Sequence, residues 1–139
     1  MKIILDTMGG DNAPDANIKG AINAINKVKA EVILVGKEEV IRKRVKELYG
    51  KEIEEISDRL KIKNATETIE MEDTPTLAIK HKKDSSMVVG FKMLKEDEGD
   101  VFISAGNSGA LLTGATLIVG RIKGIDRPAL AGILPSYKS

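Results

Sequence analysis

Lys2-Ile3-Ile4-Leu5-Asp6-Thr7-Met8-Gly9-Gly10-Asp11-Asn12-Ala13-Pro14 is a short apolar run that gives way to turn residues. The run predicts a buried strand, and the glycines and polar residues after Met8 predict the turn that ends it. Ile18, Ala21, Ile22, Ile25 and Val28 then recur at helical spacing. Pro14 suits the first turn of that helix, where its missing N–H costs no hydrogen bond. A second apolar run, residues 32–35, is closed by Gly36. Strand, helix and strand on this scale make a βαβ unit with parallel strands and a right-handed crossover.

The pattern continues outward. Residues 37–48 carry Ile41, Val45 and Leu48 on one face, with Glu38–Arg42 and Glu39–Lys43 in the favourable i,i+4 order of a solvated surface helix. Ile53, Ile56 and Leu60 predict another short helix, and residues 60–62 lead into a third strand. Residues 64–72 are polar and acidic and have no clear assignment. Pro75 opens a short helix through Leu77, Ala78 and Ile79. Asp84 is expected to cap a further helix with Met87, Val88, Phe91 and Leu94 on its core face. Residues 101–103 read as a buried strand, and Asn107 or Ser108 caps the largely buried helix after it. Residues 129–134, beyond Arg127-Pro128, are the last strand candidate.

Residues 101–120 contain no charge and are long enough to span a bilayer. Ser104-Ala105-Gly106-Asn107-Ser108-Gly109 interrupts them with polar and helix-disfavouring residues, so strand, turn and helix is the better reading. The fold expected is α/β, a three-layer αβα arrangement with a mostly parallel sheet and helices on both faces. No repeat, low-complexity tract or linker divides residues 1–139. The chain stops five residues after an apolar run, where a parallel strand ordinarily leads into another element; an N-terminal fragment of a longer chain is the expectation.

Composition narrows the function. With 139 residues, 42% apolar and 31% charged, the chain can build one ordinary core. Its 22 basic and 21 acidic residues nearly cancel, so no global basic field attracts nucleic acid. Without Trp, and with two Tyr and two Phe, base-stacking platforms are not expected. The absence of cysteine removes disulfides, thiolate nucleophiles and cysteine-bound metals, and a single histidine rules out a multi-histidine metal site. Asp6 cuts the first apolar run short, so no signal-peptide core forms, and the cytoplasm is the expected location.

Three turns carry candidate chemistry. The first holds Gly9, Gly10, Asp11 and Asn12 at a strand end, where open α/β sheets place their ligand crevices. It lacks the lysine of a P-loop and the spacing of a dinucleotide fingerprint, and an ordinary tight turn would also explain its glycines. The second, Lys82-Lys83-Asp84-Ser85-Ser86-Met87, sets two ammonium groups and two hydroxyls at a helix start, a place that can hold phosphate. A capped helix with solvated lysines is the plainer alternative, and Asp84 fits it. The third, Ser104-Ala105-Gly106-Asn107-Ser108-Gly109-Ala110, exposes backbone N–H groups and adds two side-chain donors with no acid in the turn; it is the strongest anion site in the chain, with close helix–strand packing as its rival. His81 has no evident triad. Asp6, Asp11, Glu72 and Asp73 can in principle hold Mg²⁺ with phosphate, but turns, caps and solvation account for them more simply, and no metal or cofactor is expected. Arg127 can reach a phosphate or a nearby helix end.

These turns, in this order and together with Glu72-Asp73-Thr74-Pro75 and Gly124-Ile125-Asp126-Arg127-Pro128-Ala129-Leu130, resemble the bacterial phosphate acyltransferase family PlsX. The likeness runs from Met1 to about Pro135, with a variable stretch over residues 37–69. It implies an αβα fold like that of the isopropylmalate dehydrogenases and phosphotransacetylases, in a family whose chain is more than twice as long. It also implies the reaction of long-chain acyl-[acyl carrier protein] with inorganic phosphate to give acyl phosphate and free carrier protein, for phospholipid synthesis. Homodimers, and peripheral membrane contact through regions outside this sequence, come with the resemblance. Asn107, Lys82 and Asp11 are the expected catalytic residues. Gly9, Gly10, Asn12, Lys83, Ser85, Ser86, Gly106, Ser108 and Gly109 are the expected phosphate-binding ones. Asn107→Ala is expected to cut turnover without unfolding the protein. The alternatives are transfer from an acyl-coenzyme A, as in phosphotransacetylases, and a non-catalytic phosphate-binding or dimerisation module.

Overall fold

Alternating branched residues build a four-stranded parallel sheet, ordered β3-β2-β1-β4. The computed structural model describes residues 1–132. In chain order they form β1 (Lys2–Asp6), α1 (Asp15–Lys27), β2 (Glu31–Gly36), α2 (Glu38–Tyr49), α3 (Ile53–Ile56), β3 (Leu60–Asn64), α4 (Pro75–His81), α5 (Ser86–Lys95), β4 (Val101–Ile103) and α6 (Ser108–Gly114), which continues into a π-helical turn at Ala115–Val119. Ile3 pairs with Val32 and Val101, Ile4 with Ile33 and Phe102, and Leu5 with Leu34 and Ile103.

Period-two alternation sends these residues to opposite faces. Ile3, Leu5, Val32 and Leu34 meet Ile18, Ile22 and Ile25 of α1, Ile41 and Val45 of α2, and Ile53 of α3. On the other face Ile4, Ile33 and Val35 meet Ala65 and Met93. Phe91 of α5 and Phe102 of β4 form a tilted ring pair with centroids 4.7 Å apart. Ile79, Met87, Phe91 and Ala110 join α4, α5 and α6 into a neighbouring cluster. The three-layer α/β/α expectation therefore holds. Arg44 of α2 clamps Asp15 in the first turn of α1 through two hydrogen bonds of 2.8 and 2.5 Å. That guanidinium holds the Asp15 carboxyl below the usual carboxylate range. Arg59 closes the other end of α1, donating to the carbonyls of Ile25 and Val28 at 2.6 and 3.0 Å.

Several local expectations change. Pro14 is the residue before α1 rather than inside it, and its carbonyl accepts the Ile18 N–H at 2.9 Å. The helix at Ile53 stops at Ile56, and Leu60 already belongs to β3, which runs on to Asn64. Ser85, not Asp84, caps α5: its hydroxyl accepts the Val88 N–H at 3.3 Å, while the Asp84 carboxylate turns back to Thr66. Met93 replaces Leu94 on the fully buried face of α5. β4 is not buried, because it lies at one of the two edges of the described sheet; Val101 and Ile103 are 37% and 47% exposed. The helix after it is half-buried, with only Ala110 and Gly114 fully enclosed. Residues 129–132 form no strand, since they are exposed and pair with no sheet edge; the remainder of that candidate lies outside the described residues. No described helix is long and apolar enough to cross a membrane.

Candidate functional site

All four strands are parallel, so their C-terminal ends share one rim of the sheet, the rim where α/β sheets place ligand crevices. Asp6 ends β1 and is buried, 2% exposed as a residue. One oxygen accepts the Met8 N–H at 3.2 Å; the other accepts the Ser104 hydroxyl, just beyond β4, at 2.7 Å. Ser104 Oγ in turn accepts the Gly106 N–H at 3.1 Å. The first and third turns are thereby locked together.

Their glycines are required by that closeness. A Cβ on Gly9 would sit 2.6 Å from Asp6 Oδ2 and 2.9 Å from the Gly106 nitrogen. Gly10 has φ +99°, and its Cβ would lie 3.1 Å from Ala105. Asn17 of α1 braces the same loop, donating its amide to the carbonyls of Thr7 at 3.0 Å and Gly9 at 2.8 Å.

Asn107 ties in the stretch that had no assignment from sequence. Its Oδ1 accepts the Ala110 N–H at 3.0 Å and caps α6. Its Nδ2 is shared among the carbonyls of Met71 and Asp73 at 3.1 Å and Glu70 at 3.3 Å. Gly109 packs on Pro75, where a Cβ would approach Cγ to 2.7 Å. Lys82 completes the chain of contacts: Nζ donates to Asp73 Oδ2 at 2.5 Å and to the Thr68 carbonyl at 2.8 Å. The Lys82 ammonium, helped by the Glu70 N–H, holds the Asp73 carboxyl below its ordinary range. Asp84 is likewise held low by the hydroxyl and N–H of Thr66.

Beside these contacts lies a cleft of about 430 Å³, lined by Met8, Gly10, Asp11, Ala13, Lys37 and residues 68–72. The expected site residues divide around it. Gly9 packs against Gly106, and Gly10 against Ala105. Asn107 and Lys82 are joined through the loop at residues 70–73. Asp11, Asn12, Lys83 and Ser108 are exposed. Ser85 and Ser86 are buried, and the Ser85 hydroxyl donates to the Lys82 carbonyl at 2.8 Å. His81 and Arg127 are exposed. Asp6 and Asp73 are engaged by Ser104 and Lys82, and among the described residues no three acidic or histidine side chains gather into a metal-binding group.

A family profile described as "Fatty acid synthesis protein" matches residues 1–139. The chain belongs to that family. Among curated relatives, a phosphate acyltransferase of Acetivibrio thermocellus is 55% identical over 137 residues, covering 98% of this chain and 39% of the relative. One from Caldicellulosiruptor saccharolyticus is 52% identical, covering 100% of this chain and 40% of the relative. One from Clostridioides difficile is 49% identical, covering 99% and 39%. This member of the fatty acid synthesis protein family thus spans about two-fifths of the length of the relatives it matches. The resemblance read from the three turns agrees with both findings.

Asn17 and Ser104 brace this family member's rim without any motif in the sequence that singles them out for it. Asn17 carries no local signal beyond its position in the first turn of α1. Ser104 stands 98 residues from its partner, a separation that no spacing rule spans.

Proposed function

We propose that this chain forms the phosphate-holding part of an acyltransferase that moves a long-chain acyl group from acyl-[acyl carrier protein] onto inorganic phosphate, serving phospholipid synthesis. The observation that carries this reading is the Ser104–Asp6 hydrogen bond, which sets two glycine turns in contact at the C-terminal rim of the sheet. Phosphate dianion is already a nucleophile near neutral pH, so the chemistry needs no cysteine and no serine triad. An oxygen of phosphate attacks the thioester carbonyl carbon. The tetrahedral oxyanion collapses, the C–S bond breaks, and the carrier thiolate leaves and takes up a proton.

The protein has to hold the anion beside the carbonyl, making the encounter effectively intramolecular, and to offer fixed donors to the oxyanion. In this reading Gly9, Gly10, Gly106, Ser108 and Gly109 frame the anion. The Ser108 and Gly109 N–H groups open α6 and have no intrahelical acceptor of their own. Lys82 and Lys83 supply positive charge. Asp11, which lines the cleft, and Asn12 beside it in sequence orient the ligand in this reading. Asn107 acts through the backbone it holds, and Ser85 and Ser86 act from beneath, by fixing the start of α5. The partners are the acyl carrier protein, phosphate and a second copy of the protein.

The test joins residues 1–139 to the remaining part of the Acetivibrio thermocellus relative and follows release of carrier thiol from acyl-[acyl carrier protein]. Release that requires phosphate is the expected result; release without phosphate refutes the reading. A preference for an acyl-coenzyme A donor would favour transfer of the phosphotransacetylase kind. Phosphate binding without turnover of either donor would leave only a binding module.

A further inference from the structure

Asp11, Glu70, Glu72 and Lys37 are the charged residues that line the cleft of about 430 Å³. Three acids against one lysine repel an anion everywhere except near that lysine. Other cations of the region are committed elsewhere. Lys82 Nζ donates to Asp73 Oδ2 at 2.5 Å, and neither Lys82 nor Lys83 lines the cleft. Arg44 is held by Asp15, and Arg42 by Glu38 and Glu54. Among the described residues no ion pair involves Lys37.

The backbone on both sides of Lys37 is pinned. Before it, the Thr7 N–H donates to the Val35 carbonyl and the Ala65 N–H to the Gly36 carbonyl, both at 2.9 Å. Met8 packs on Gly36, where a Cβ would come within 2.7 Å of Met8 Cγ. After it, the Glu38 N–H donates to Asn64 Oδ1 at 3.0 Å. Lys37 is thereby fixed beside the first turn while its side chain stays exposed. Local preference does not explain a lysine here. It is the residue before α2, its side chain caps nothing, and the positive end of a helix dipole disfavours a cation. A residue that breaks a local rule without a packing gain points to function. Lys37 also borders a second hollow of about 650 Å³, together with Glu39, Val40, Asn64 and Thr66, so an extended ligand can pass it from one space into the other. We propose that Lys37 is the anion-binding cation of this cleft and holds a phosphate group. That group is the attacking inorganic phosphate or the phosphodiester that joins a thioester-bearing arm to its carrier. The inference rests on the acyl-transfer reading above and adds to it a residue that the three turns do not contain.

The test titrates two probes, inorganic phosphate and phosphopantetheine, into the protein that joins residues 1–139 to the remaining part of the Acetivibrio thermocellus relative. Binding is followed by calorimetry. Lys37→Met removes the charge at nearly constant length, and Lys37→Arg keeps it. Lys43→Met on α2 is the control, since it removes an equal charge from a side chain that is 75% exposed and lines no part of the cleft. Lys37→Met should weaken at least one probe about tenfold or more, as the loss of a hydrogen bond between charged groups implies, with Lys37→Arg within about threefold of the parent. Lys43→Met should bind both probes as the parent does. Loss for inorganic phosphate assigns Lys37 to the attacking anion, and loss for phosphopantetheine alone assigns it to the donor's arm. Equal affinity of Lys37→Met and the parent for both probes overturns the proposal. So does a parent that binds neither probe, or an equal loss in Lys43→Met. Release of carrier thiol is measured on the same proteins. Release without phosphate would refute the acyl-transfer reading, while the affinities would still decide the role of Lys37.

Discussion

Gly9→Ala tests whether the two glycine turns are held as closely as described. The new methyl would lie 2.6 Å from Asp6 Oδ2, 2.9 Å from the Gly106 nitrogen and 3.0 Å from Ser104 Oγ. Backbone dihedrals at Gly9 are open to alanine, so the cost is steric. Two routes of relief exist. The turns can stay in place and bear the overlap, which costs about 1–3 kcal/mol in a packed region. Alternatively they can separate and lose the hydrogen bond from Ser104 to the Asp6 carboxylate, worth about 1.5–3 kcal/mol for a charged acceptor. Either route predicts a loss of about 1–3 kcal/mol, or about 3–10 °C in Tm for a chain of this length. Denaturant titration with a thermal melt measures it. Gly20→Ala is the matched control: it lies inside α1 with nothing within 4 Å, and should gain about 0.5–1 kcal/mol. Introducing Ser104→Ala into both backgrounds separates the two routes, because a turn already freed from Ser104 should pay less for the methyl. A Gly9→Ala protein within 0.5 kcal/mol of the parent would refute the closeness of the turns.

Asn107→Ala removes a helix cap and the brace on the loop at residues 70–73; a loss of about 2 kcal/mol is expected by denaturant titration, since a cap alone is worth about 1 kcal/mol. Its effect on turnover is therefore to be read at a temperature where the variant stays folded. Asn107→Asp keeps the acceptor for the Ala110 N–H but turns an oxygen toward three carbonyls, so the loop should loosen while α6 remains capped, a difference visible by hydrogen exchange. Lys82→Met should change acid unfolding in one direction. The Asp73 carboxyl lies below its ordinary value of 3.8 when folded, so its contribution is present above that pH and is lost as pH falls through the lower folded value. Without Lys82 the fall in stability below about pH 3.8 should be shallower, and an unchanged slope would show that the ion pair contributes nothing. Arg59→Met frees carbonyls at the end of α1 and should cost about 1 kcal/mol, with faster amide exchange confined to the last turn of that helix.

Where a side chain's role depends on near neighbours, the sequence was informative. The branched runs at β1 and β2 and the helical spacing of Ile18, Ile22 and Ile25 specify the βαβ unit, and burial of those residues agrees. The expected cap at Asp84 is off by one residue, because Asp84 and Ser85 are both good caps. The hydroxyl and N–H of Thr66, 18 residues away, decide the matter by claiming the carboxylate. The stretch at residues 64–72 has no periodicity because distant groups hold it: Asn107 and Lys82 bind its carbonyls. Burial of β4 was overestimated because an apolar run does not reveal whether its strand lies inside a sheet or at the edge. In the site, the glycines were legible as turn formers. The destination of the Asn107 amide was not, since a side chain that can bind an anion can equally bind a carbonyl.

The 98-residue separation of Asp6 and Ser104 also sets a schedule. At about 5–20 residues per second, a ribosome delivers the carboxylate some 5–20 seconds before the hydroxyl that receives it. Until β4 emerges, β2 is the only strand of the sheet described here that can pair with β1, and the Asp6 carboxylate has no Ser104 hydroxyl to accept. The contact between the two glycine turns therefore forms only when β4 docks beside β1.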